Sequence, residues 1–187
     1  MKPTVVAGLL LLLGSAQFLL CTLIAEVLYP NYNVSANAIS DLGVGITAAL
    51  FNLSIILLGL AITANAYILH KQFRNKIFTA SLLLSGIGAV GVGIFPETIA
   101  IPHAISSMAV FLFGGLSAIE SRKATAAPFS YVSILLGTIS LAALFCLLTN
   151  NHFGLGFGGM ERMVVYPLLF WVIAFSGWLF AAKDTKG

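Results

Sequence analysis

The feature that most limits what this chain can become is a recurrence of long apolar stretches, each near twenty residues, separated by short polar turns. They fall at about residues 4–28, 46–69, 77–95, 103–119, 129–149 and 163–182. A helix crossing the hydrocarbon core of a bilayer needs roughly 20 mostly apolar residues, so six such spans consume nearly all 187 residues. Composition agrees: 59% of residues are hydrophobic and 8% charged, where soluble domains carry about 25% charged residues. Lipid offers no partner for an open sheet edge, so each span must be helical. The reading is all-α: a single polytopic six-helix transmembrane domain over residues 1–187, with no soluble domain beside it.

Lys2 followed by the apolar run from Val5 resembles a signal peptide, with Gly14-Ser15-Ala16 as a nominal cleavage site. The run continues to Ala25, longer than a usual signal core, which favours an uncleaved first span. Orientation follows from the basic residues. Lys2, Lys71, Arg74, Lys76, Arg122, Lys123, Lys183 and Lys186 fall on one side, and Arg162 alone on the other. By the positive-inside rule, both termini are expected in the cytoplasm of a multi-pass cell-membrane protein. The net charge of +3 is confined to turns beside span ends, which argues for headgroup anchoring rather than nucleic-acid binding. Cys21 and Cys146 fall within spans; buried free thiols are the expected state, and no metal-type cysteine spacing occurs.

Acidic residues show the opposite bias. Glu26, Asp41, Glu97 and Glu161 lie at the outer face with His103 and His152, while Glu120 and Asp184 lie inside and His70 joins the basic turn. The first outer segment, YPNYNVSANAISDLGVG, is too polar to span and is expected to fold back on the bundle. If it turns helical near Ser35, Asn37, Asp41, Ala48 and Asn52 share one face. Alternatively, Ser40 or Asp41 caps the second span, and Asn52 makes an interhelical hydrogen bond. Glu26, near the end of the first span, needs a partner, and Arg162 is the basic side chain on that side, so Glu26 or Asp41 pairs with it.

In GIFPETIAIPHAISS, Pro102 places His103 in the first turn of a short fourth span, about seventeen residues, whose outer end is expected to open a small wet cavity. A helix N-terminus favours a neutral imidazole there, able to act as base or metal ligand; a hydrogen bond to Glu97 is the plainer role. The glycine-rich NNHFGLGFGGM, residues 150–160, lacks the strand and lysine of a phosphate-binding loop and is expected to be a flap or re-entrant turn. Glu161, Arg162 and Tyr166 then open the sixth span. Ser81, Ser85, Ala89 and Gly93, with Gly86, Gly88 and Gly91 beside them, form small-residue faces for close helix packing, as does Gly114-Gly115. Three aromatic–proline steps, Tyr29-Pro30, Phe95-Pro96 and Tyr166-Pro167, are consistent with three related hairpins or, more plainly, with ordinary interfacial aromatics and helix-end prolines. The sequons at Asn33 and Asn52 are accidental.

Taken together, YPNYNVSANAISDLGV, FNLSII, GIFPE followed by a histidine, and GGMERMVVYP resemble an uncharacterised family of small prokaryotic integral membrane proteins, domain of unknown function 998. The segments with Asn37, Ser40, Asp41, Asn52, Glu97, His103, Glu161 and Arg162 carry the resemblance. It implies a prokaryotic membrane and brings no reaction with it.

These residues point to a lipid-directed hydrolase or transferase at the extracytoplasmic face, acting on membrane lipid or another small amphiphile. Asp41, Glu97, His103 and Glu161 are the candidate acid–base groups; Arg162, Asn37, Asn52 and Tyr166 the candidate substrate contacts. Asp41, His103 and Glu161 are candidate ligands for a divalent metal such as zinc, although no linear motif has the spacing. The rivals are a small-molecule or proton carrier or receptor and a structural membrane subunit. A haem pair is excluded, since His70 and His103 lie at opposite faces.

Overall fold

The computed structural model describes residues 1–182; Lys183, Asp184 and Lys186, counted above with the basic side, lie outside the described residues. Six helices long and apolar enough to cross a membrane are present among them: α1 (Pro3–Leu28), α2 (Ala48–Phe73), α3 (Lys76–Ile94), α4 (Ala100–Glu120), α5 (Phe129–Leu148) and α6 (Gly156–Ala181). The chain is a multi-pass, all-helical membrane protein.

Local chemistry sets the ends. Pro3 opens α1, where its missing N–H would have no acceptor anyway. At the tight α2–α3 turn, Arg74 takes a left-handed conformation with φ 50°, and the Asn75 side chain accepts a hydrogen bond from the Phe78 N–H at 3.2 Å, capping α3.

Each helix packs on its neighbours in sequence, and α6 returns to pack on α1, closing a ring. Small residues allow the close approach. A Cβ on Gly86 would lie 3.0 Å from the Gly59 carbonyl oxygen of α2, and one on Gly88 would lie 2.8 Å from the Ser106 carbonyl oxygen of α4. The end of the bundle bearing the basic turns is filled by aromatic rings: Phe175 stacks on Trp171 at 5.4 Å and on Trp178 at 5.8 Å, with Phe78 edge-on to it at 5.9 Å.

Two boundaries differ from expectation. Helix α4 is 21 residues long, not about seventeen, because Pro102 is its third residue rather than its start; proline is tolerated anywhere in a first turn. The short-span basis for a wet cavity at its outer end therefore falls away. Helix α6 begins at Gly156, seven residues before 163, so Gly156–Met160 is helix and neither flap nor re-entrant turn. Cys21 and Cys146 are free thiols on α1 and α5.

Candidate functional site

The polar groups of the acidic end are organised by the segment between α1 and α2, residues 29–47, which does fold back on the bundle. It is not the helix that would align Asn37, Asp41, Ala48 and Asn52. It turns instead: the Asn33 side chain accepts from the N–H groups of Ser35 (2.9 Å) and Ala36 (3.1 Å), the asparagine turn that competes with helix. Short 3₁₀ turns follow at Ser40–Gly43 and Gly45–Thr47. Asn52 makes no interhelical bond; its Nδ2 donates to the Gly43 carbonyl at 3.0 Å, tying the segment to the top of α2.

The start of α6 receives this segment. Gly158 N–H donates to the Ser35 carbonyl at 2.9 Å, and Ser35 Oγ donates to the Leu155 carbonyl at 2.6 Å. A Cβ on Gly158 would collide with the Asn37 carbonyl, so the glycine-rich run serves backbone approach rather than motion. Arg162, 5% exposed, then clamps the assembly. Its Nη1 donates to the carbonyls of Val34 (2.9 Å), Asn37 (3.1 Å) and Gly158 (2.9 Å), and its Nη2 to Glu26 Oε1 (2.6 Å) and Tyr32 Oη (2.7 Å). Glu26, of the two acids considered, is the one that pairs with it. Tyr32 in turn donates to the Ala38 carbonyl at 2.7 Å, and burial pushes its hydroxyl up to about 12 against the lowering effect of Arg162. Tyr166 is half-buried and lies within electrostatic reach of Glu26 and Arg162.

Beyond the clamp lie two neighbouring carboxyl groups, Asp41 and Glu97, on the wall of one open pocket. Asn37 Nδ2 donates to Asp41 Oδ2 at 2.8 Å, and Ser40 Oγ donates to Glu97 Oε2 at 3.3 Å. Partial burial and then the adjacent Asp41 push Glu97 up to about 7, although its side chain still reaches solvent. Tyr29, Val44 and Thr98 complete the open pocket around the pair.

Beneath it lies an apolar crevice inside the helix ring, with a cavity volume of about 80 Å³. Ser40 and Glu161 line its upper part, and Trp171 and Val172 lie at its far end. Glu161 is 6% exposed, and its Oε2 accepts from the Ile39 N–H at 2.5 Å. Ser40 lines the crevice and donates to Glu97 of the open pocket above, which relates the two spaces.

His103 stands apart. Its Nδ1 donates to the Phe95 carbonyl at 2.8 Å, fixing the α3–α4 turn, and it lines neither space; it does not bond Glu97. Among the described residues no three His, Cys, Asp or Glu side chains are arranged to hold a metal ion, so Asp41, His103 and Glu161 do not form the expected ligand set. Asp41, Glu97, Glu161 and Asn37 do come together. Tyr32 and Ser40 emerge as partners the residue pattern did not single out as site groups. The signal was faint: a tyrosine and a serine in a segment already rich in polar residues.

A family model described as a protein of unknown function (DUF998) matches residues 12–178. No curated protein and no solved structure matches the chain.

Proposed function

The chain belongs to the DUF998 family, whose function is unknown, and for this member we propose a membrane-embedded hydrolase or transferase acting on an amphiphile from the acidic end of the bundle. The observation that carries this reading is the adjacency of two carboxyl groups, Asp41 and Glu97, to an apolar crevice whose wall includes Glu161 and Ser40, the latter donating to Glu97. A polar head beside the pair and a hydrocarbon chain in the crevice would match an amphiphile along its length. Two neighbouring carboxyls cannot both ionise readily, so one holds a proton near neutral pH. Asp41, which accepts from Asn37, takes the base role, and Glu97 the acid role. In hydrolysis, Asp41 removes a proton from water as its oxygen bonds to the electrophilic centre, and Glu97 gives its proton to the departing oxygen.

Arg162 is committed to the clamp through both its Nη groups, and only its buried Nε is left without a partner. A carrier is less well supported, since the crevice ends on Trp171 and the aromatic cluster rather than on a polar route to the basic end. The eight-to-one distribution of basic residues supports placing the basic end in the cytoplasm and the site at the extracytoplasmic face.

The test is lipid turnover. Purified protein in nanodiscs carrying a total bacterial lipid extract is incubated and the lipids are profiled by mass spectrometry. One lipid class should fall while its product rises, with the rate lowered about 10²–10⁴-fold in Asp41→Asn and Glu97→Gln. Full turnover in both variants would remove the carboxyl pair from the mechanism; an unchanged lipid profile with wild type would count against the enzyme.

A further inference from the structure

We infer that the occupant of this site is a long-chain amphiphile with a cationic amine head, its chain in the crevice and its head between Glu161 and the Asp41–Glu97 pair. The inference rests on the amphiphile reading above and adds the chemistry of the head.

Three observations carry it. The first is depth. Glu161 and Val172 both line the crevice on α6, and their eleven-residue separation corresponds to about 16 Å at 1.5 Å per residue. That is about half of a ~30 Å hydrocarbon core, so the apolar lining reaches about as deep as the chains of one leaflet.

The second is Glu161. It is more than nine-tenths buried and lines the crevice, yet only Oε2 is bonded, to the Ile39 N–H; Oε1 has no hydrogen-bond partner among the described residues. A carboxyl in a membrane-spanning helix is costly unless another group satisfies it. An amine can do so with a charge-assisted hydrogen bond.

The third is charge. Among the described residues Arg162 is the one Lys or Arg side chain of this end, and its ion pair is with Glu26. Asp41, Glu97 and Glu161 take part in no ion pair among the described residues. A phosphate or carboxylate head would face three carboxyl groups, and the Arg162 guanidinium beside them is already paired with Glu26, whereas an ammonium head is complemented. Tyr29, which lines the open pocket, adds an aromatic wall of the kind cations favour.

Trp171 at the far end of the crevice supplies the readout. The chain has two tryptophans, so Trp178→Phe leaves Trp171 as the only one. In uncharged detergent, its fluorescence is titrated with alkyl probes brominated near the chain end and differing only in the head: primary amine, alcohol or phosphate. The amine should quench at a concentration on the order of tenfold lower than the other two. Glu161→Gln should remove that preference, Glu161→Asp should keep most of it, and Ala89→Leu, which fills the crevice wall, should weaken quenching by all three. Circular dichroism checks that each variant is folded. Phosphate quenching as effective as amine, or quenching untouched by Ala89→Leu in folded protein, would overturn the inference. Turnover is not read here, so amine preference without turnover would sink the acid–base reading alone. Turnover without amine preference would sink the head assignment alone.

Discussion

A guanidinium presents its N–H donors in a planar fork, and Arg162 directs that fork at three backbone carbonyls, one carboxylate and one phenol. Lysine could keep the charge facing Glu26 but not the spread of donors. Arg162→Lys should therefore destabilise the folded protein by about 2–4 kcal/mol and expose residues 29–45 to protease, seen as a lower unfolding midpoint in detergent and faster cleavage there. Wild-type stability and cleavage would mean the clamp does not hold the segment. Glu97 carries the pH dependence. With its folded value raised from 4.5 to about 7, the folded state binds more proton than the unfolded one between those values. Stability should be highest below about 4.5 and fall as pH rises through 7, by only about 1 kcal/mol because the group is partly exposed to solvent. Turnover limited by the acid form should fall above the same pH. Glu97→Gln should flatten the stability change, and a slope that survives in that variant would assign it elsewhere. The polar residues of this end were legible from their types alone. Their division into clamp and pair was not, because which acid meets Arg162 depends on how residues 29–47 turn.

At the level of elements, the first turns of α6 and the loop it receives form one unit. Gly158 has the Asn37 carbonyl against its α-carbon; Gly154 has φ +80° but nothing within reach of a Cβ. The two alanine substitutions should therefore differ in kind. Gly158→Ala should separate the loop from the helix and speed amide exchange across residues 33–39, at about 1–3 kcal/mol of stability. Gly154→Ala should cost about 1 kcal/mol through backbone strain and leave that exchange unchanged. Equal exchange in both variants would show that close approach is not what the glycine serves. The run NNHFGLGFGGM predicted a loop because glycines disfavour isolated helices. Packing against the Ser35–Asn37 backbone overrides that preference, and local composition cannot register a partner 120 residues away.

For the whole molecule, the ring of six helices leaves an apolar space opening toward carboxyl groups at one end and closes the other with stacked aromatics. If the basic end faces the cytoplasm, a cysteine at Thr98, in a background lacking Cys21 and Cys146, should react with a membrane-impermeant maleimide on intact cells. One at Lys123 should react only after permeabilisation. The reverse pattern would invert the proposed orientation. The number of spans, the helical class and the segregation of acids from bases were determined by the sequence by itself, because solvation in lipid acts on each segment independently and its cost is set by local composition. The tertiary structure alone decided that Glu26 rather than Asp41 meets Arg162, that His103 braces a turn away from the acids, and that a crevice runs from Glu161 to Trp171. Those outcomes depend on distances between segments far apart in the chain, and no local solvation preference encodes them.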